Sequence, residues 1–315
     1  MTFLWSIGAL YYDAGKGNKP GLVLAGIWIL LILALVVMTD SVFVLFSAYT
    51  LFFVLLFCWW VSQKPSNHHE WDSNFSKLPV IKSNGNELII ENVRHTRYRS
   101  LDDYDARFET RAFQINKLTG VDIAILYWGS NLMSHPMLIF EFSDQERICF
   151  SIEVRYRANQ RYDFLKSIYR QNELMYVVCD ERDAILRRTK YSAGHEIYLY
   201  RLQIDRTHAQ EILDEYIDQT NQLVEFPKWY NSITNNCTTA IYRQRNGKMP
   251  WDIRILLNGA MDKMLYDWKR LTQALPFDEL KAQSKINDRA NSADYDRFGE
   301  QIRQGLPGFE HSANG

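Results

Sequence analysis

The sequence predicts an α+β protein in which an N-terminal transmembrane helical hairpin precedes a domain of antiparallel strands and packed helices. Three observations lead there. Two runs without a charged residue, 21–38 and 41–63, are each long enough to cross a hydrocarbon core, which takes about 20 helical residues. Beyond residue 79, short segments such as RICFSIEVR at 147–155 alternate like half-buried strands. The stretch 209–223 instead places Ile212, Leu213, Tyr216, Ile217 and Thr220 on one helical face.

The elements follow in chain order. Residues 1–20 carry Phe3, Leu4, Trp5, Ile7, Leu10, Tyr11 and Tyr12 with no charge before Asp13, the composition of an interfacial helix. They lack the basic start of a signal peptide. The two apolar runs are separated only by Thr39 and Asp40, so the hairpin (21–63) returns to the side it started from. Trp59 and Trp60 mark the interface where the second helix leaves. Residues 64–78 read as a polar linker, and the adjacent His68 and His69 are taken as part of it rather than as a metal site. The soluble domain spans 79–306. It opens with two short strands around Ser83-Asn84-Gly85-Asn86. Residues 121–128 and 134–142 are apolar strands, and the latter forms a hairpin with 147–155. Further strands are expected at 174–178 and 198–204, and a further helix at 254–271. Residues 307–315 are expected to be disordered.

Composition excludes several functions. Formal net charge is −1, and Asp102, Asp103 and Asp105 follow directly on the basic, aromatic stretch 94–99, so no nucleic-acid surface is expected. The four cysteines, Cys58, Cys149, Cys179 and Cys237, form no CxxC and no Cys/His zinc spacing. Cys149 and Cys179 either pair in an oxidising compartment or are buried strand residues. There is no Gly-rich phosphate loop, so no cofactor is expected.

The chemistry centres on YNSITNNCTTAI at 230–241. Asn235 or Asn236 can cap a helix, which places Cys237 in its first turn, where the helix dipole favours a thiolate. Upstream, His135 stands at the mouth of an apolar strand with Pro136 behind it. Alternation puts Ser151, Glu153 and Arg155 on one face of the neighbouring strand. A carboxylate beside a histidine orients an imidazole. The competing assignments are a small buried cysteine, a satisfied strand-end histidine and a Glu153–Arg155 ion pair.

The order of histidine strand, acidic strand, helix and then cysteine reverses papain and resembles circularly permuted papain-like (NlpC-type) folds, such as the lecithin-retinol acyltransferase relatives. Asn92-Val93-Arg94, Trp128-Gly129, Ser134-His135-Pro136, Ser151 to Arg155, Asp180-Glu181-Arg182-Asp183, Tyr198-Leu199-Tyr200 and Tyr230 to Thr239, taken in order, resemble the family of the Lnb N-terminal periplasmic domain over about 71–306. The resemblance implies a membrane-bound acyltransferase that moves a fatty acyl chain from a membrane phospholipid to the N-terminal amine of a diacylated lipoprotein. It places the domain on the periplasmic face of the bacterial cytoplasmic membrane. Lys16, Lys19 and Lys64, taken alone, would place it in the cytoplasm.

In that scheme Cys237 is the nucleophile and His135 the base. Glu153 or Ser151 orients the imidazole, and Asn236 joins the Cys237 N–H at the oxyanion. Arg155 and Arg94 are either phosphate contacts or structural ion pairs. A cysteine peptidase or amidase acting on peptidoglycan, a phospholipase or thioesterase, and a non-catalytic binding module are the alternatives. The oligomeric state and the identities of donor and acceptor are not encoded in any motif.

Overall fold

The structure, a computed structural model, describes residues 1–128, 130–158, 160, 163–232, 254 and 259–309. Helix α1 (Thr2–Gly8) runs into a π-helical turn, Ala9–Ala14. Helices α2 (Lys19–Met38) and α3 (Val42–Ser62) follow. Ser41 caps α3 by accepting from the Val44 N–H. Both helices are apolar all round and leave Leu30, Leu33, Val37, Phe43, Phe46 and Leu51 exposed, which suits a lipid surround and not an aqueous one. They are long and apolar enough to cross a membrane.

The rest is a mixed sheet with helices packed on it. Among the described residues its strands are β1 (Val80–Asn84), β2 (Glu87–Arg94), β5 (Phe108–Gln114), β6 (Leu118–Trp128), β7 (Ser130–Phe142), β8 (Arg147–Arg155), β9 (Glu173–Cys179) and β10 (His195–Arg201). Two short strands, β3 (Arg97–Tyr98) and β4 (Tyr104–Asp105), pair separately. The order is β1-β2-β9-β8-β7-β6-β10, with β5 also on β2. Pairing is antiparallel except where β2 meets β9 at Arg94 and Cys179. Asn92 takes a left-handed φ of 62° at the bulge in β2, a conformation asparagine tolerates, and donates to the Leu78 carbonyl.

Two cores flank the sheet. On one face lies α5 (Arg206–Glu225), capped by Asp205, which accepts from the His208 N–H. Tyr216 of α5 is buried among the rings of Phe140, Phe150 and Tyr176. The other face carries Met137, Ile139, Cys149, Met175, Val177, Ile197 and Leu199. It is covered by α4 (Glu181–Thr189) and the short helices Asn287–Ser292 and Phe298–Arg303.

Several boundaries differ from those the sequence suggests. The segment 64–78 packs on the domain: Phe75 and Asn74 are buried, and the Trp71 ring lies 4.0 Å from the Arg155 guanidinium. Phe309, inside the tail expected to be disordered, is buried beneath Arg201. Of the helix expected over 254–271, the described part is Met261–Asp267, and Lys269 with φ 55° ends it. The acidic run 180–183 opens a helix. Asp180 is the N-cap of α4, a helix hidden in the sequence by its charged residues.

The N-terminal segment ties the apolar hairpin to the domain. Trp60 and Gln171 both donate to Asp13, each at 2.6 Å. Arg170 stacks on Trp60 and donates to the carbonyls of Val61 and Gln63. Tyr169 stacks on Tyr12, and its hydroxyl occupies the space a Cβ at Gly8 would enter, so a larger residue there would push the tyrosine ring aside.

Candidate active site

The β7–β8 hairpin brings the expected residues together. Its register places Ser151 opposite Met137, so two residues further along each strand His135 and Glu153 face one another. His135 Nε2 lies 2.8 Å from Ser151 Oγ and 3.2 Å from Glu153 Oε1. Ser151 Oγ lies 2.5 Å from the same carboxylate oxygen. His135 and Ser151 are buried.

These distances order the hydrogen bonds around the imidazole. Ser151 has one hydrogen, and the ionised Glu153 can only accept, so the serine donates to the carboxylate. The serine oxygen must then accept from a hydrogen on His135 Nε2. In a neutral imidazole so arranged the lone pair falls on Nδ1, and in the imidazolium both nitrogens donate.

Glu153 stays ionised although it is largely enclosed by protein. Burial alone would raise its pKa; Arg188 first, then His135 and Arg187, hold it well below the ordinary 4.5. Arg188 is the residue sequence reasoning missed. It sits on α4, where Ala184, Ile185 and Arg188 face the sheet, and it donates to Glu153 Oε1 and, at 2.8 Å, to the Ala184 carbonyl. The helix is anchored at its other end. Arg303 joins Glu181 and Asp122 at 2.8 Å each, and Arg201 joins Asp122 at 2.7 Å. The available signal was the N-cap Asp180 followed by apolar and basic residues at helical spacing.

A second histidine belongs to this neighbourhood. His195 starts β10, on the face that carries Ile197. Burial, then Arg188 and Arg187, lower its pKa and disfavour its charged form.

Of the two alternatives held open for Arg94 and Arg155, phosphate contact or structural tie, the contacts made by both side chains favour the structural one. Arg94 is 2% exposed and grips Asp183 through Nε and Nη2, the latter at 2.7 Å. Burial disfavours its charge, yet Asp183 raises its pKa well above the ordinary value. Arg155 donates to the carbonyls of Phe75 and Ser76 and to Asn67, and burial lowers its pKa to about 10. With every guanidinium edge turned to protein, both are structural ties. Cys237 and Asn236 lie outside the described residues. The chain before them is described up to Ser232, whose N–H donates to the Ser167 carbonyl at 3.1 Å.

Three carboxylates with depressed pKa values give a signed prediction. Glu153, Glu141 and Asp180 are all held below their ordinary range by arginines that outweigh burial. Their stabilisation is complete above the unfolded value and is lost as pH falls through the lower folded values. Asp122, raised by burial, opposes this in part. Urea midpoints are expected to hold from about pH 7 to about pH 5 and to fall steeply below about pH 4. A midpoint that rises on acidification would contradict the assignment.

An α+β domain that follows two helices apolar enough to cross a membrane, with a His–Ser–Glu relay among the described residues, defines a membrane-associated protein. Residues 104–271 match the family described as the Lnb N-terminal periplasmic domain, and the chain belongs to that family. The match takes in β5 through the helix Met261–Asp267, and so every residue of the relay. No curated protein and no solved structure matches the chain.

Proposed function

We propose that the protein is a thiol acyltransferase of the bacterial cytoplasmic membrane, with its domain on the periplasmic side. It takes a fatty acyl chain from a phospholipid and delivers it to the N-terminal amine of a diacylated lipoprotein. The observation that carries this reading is the Glu153–Ser151–His135 relay, which meets the imidazole at Nε2 in a domain clasped to two apolar helices.

His135 Nδ1 takes the thiol proton of Cys237, and the thiolate attacks the ester carbonyl. The C–O bond breaks, the lysophospholipid leaves with the proton, and an acyl thioester remains on sulfur. The lipoprotein amine then attacks the thioester. A C–N bond forms, His135 takes the amine proton, and Cys237 regains it as the C–S bond breaks. Ester and amine become amide and alcohol, with no cofactor consumed. Arg188 keeps Glu153 ionised, and Glu153 through Ser151 stabilises the imidazolium formed in each step.

Reconstitution with a phospholipid donor and a diacylated lipopeptide tests the reading. N-acyl lipopeptide is the expected product by mass spectrometry. Free fatty acid alone would make the protein a lipase, and lipopeptide cleavage a peptidase. Ser151→Ala is expected to cost roughly tenfold in rate, because Glu153 remains within reach of Nε2. Glu153→Gln is expected to cost about 10²–10⁴-fold, because the amide no longer stabilises the imidazolium or fixes its tautomer. The reverse ranking would contradict the relay.

A further inference from the structure

The turn after residue 162 carries two adjacent exposed apolar side chains, Phe164 at 43% and Leu165 at 57%. The turn is built to present them. Asp163 Oδ1 accepts from the Lys166 N–H at 3.1 Å, and the Asp163 carbonyl accepts from Ser167 N–H at 3.0 Å. Ser167 Oγ donates back to the Phe164 carbonyl at 2.7 Å. A solvent-facing turn has no use for a Phe-Leu pair held outward in this way.

Its surroundings point to lipid. The chain runs from this turn directly into Tyr169, Arg170 and Gln171, the residues that hold Tyr12, Trp60 and Asp13. The turn is therefore continuous with the end of the apolar hairpin. Lys166 runs beside Gly17, and Lys16, Lys19 and Lys166 are all exposed, so the apolar pair is flanked by cations suited to phosphate head groups. The same turn holds the segment that leads to the candidate nucleophile: Ser167 pairs with Ser232, and the Asn231 amide donates to the Ile168 carbonyl at 2.6 Å.

We propose that Phe164 and Leu165 form a third membrane contact, inserting into the head-group and upper acyl region of the bilayer that holds α2 and α3. The proposal rests on reading α2 and α3 as membrane spans.

The test is photo-crosslinking from benzoylphenylalanine placed singly at 164, 165, 51 or 295 in the full chain. The protein is reconstituted in vesicles of phosphatidylethanolamine and phosphatidylglycerol. Leu51 is exposed on α3 and reports the spans. Tyr295 is equally open at 62%, but its carbonyl is held by Arg182 beside Asp180, at the far end of β9 from Glu173. That strand is about 20 Å long. Lipid adducts at 164 and 165 are expected at yields near that of 51 and several-fold above that of 295. Labelling at 51 with 164 and 165 no higher than 295 overturns the contact and leaves the spans standing. Adducts at 164 and 165 to a second copy of the chain also overturn it, by assigning the turn to self-association. Failure at 51 removes the spans and the proposal together. None of these outcomes depends on catalytic activity, so they are separable from the acyltransferase reading.

Discussion

Cys237→Ala and His135→Ala are each expected to lower N-acyl transfer by about 10²–10⁴-fold, and the double variant to be no worse than the poorer single one. The reason is the division of labour. His135 meets Ser151 and Glu153 through Nε2, so the proposed scheme gives the thiol proton to Nδ1, and a thiol without that base is mostly protonated at neutral pH. Residues that act as one unit lose their shared contribution once. Single-turnover rates on donor vesicles measure the loss, and unfolding midpoints close to wild type show that it is chemical. A His135→Ala protein that keeps full activity would make the relay a structural feature of the β7–β8 hairpin.

Arg94→Met is expected to destabilise the domain by about 3–5 kcal/mol, because it strands Asp183 as a buried, unpaired carboxylate. Asp183 also accepts from the Thr96 N–H at 2.8 Å, so the damage reaches the β2–α4 junction and through α4 reaches Arg188. Arg94→Met with Asp183→Leu, which removes both charges, is expected to recover much of the loss. Arg99 is the contrast. It pairs with Asp103 and Asp105 at the surface, and Arg99→Ala is expected to leave the urea midpoint unchanged. An Arg94→Met protein as stable as wild type would show that Asp183 reaches water.

Periodicity and residue type make part of this legible in advance. The hairpin of apolar helices follows from two uncharged runs and a short polar turn. The relay follows from strand alternation, which sets Ser151 and Glu153 on one face, and from the short turn that pairs β8 with β7. Arg188 escapes because α4 is short and rich in charge, so no apolar stripe announces it; its role depends on Glu153 being within reach across the packed interface. Arg94 and Arg155 look like phosphate ligands by type, yet their partners, Asp183 and the carbonyls of Phe75 and Ser76, are set by tertiary packing alone. Phe75 and Phe309 lie in polar, Gly- or Ser-rich surroundings that read as linker and tail, and only the assembled second core shows the space they fill.

The most direct measurement is a search for the covalent intermediate. The reconstituted protein is incubated with phosphatidylethanolamine of defined chain length, quenched in acid and digested, and the Cys237 peptide is weighed. An acyl thioester of that chain length is expected on wild type and absent from Cys237→Ala. It is expected to be strongly reduced in His135→Ala and to discharge when a diacylated lipopeptide is added. A Cys237 peptide that stays unmodified while N-acyl product accumulates would contradict a cysteine nucleophile.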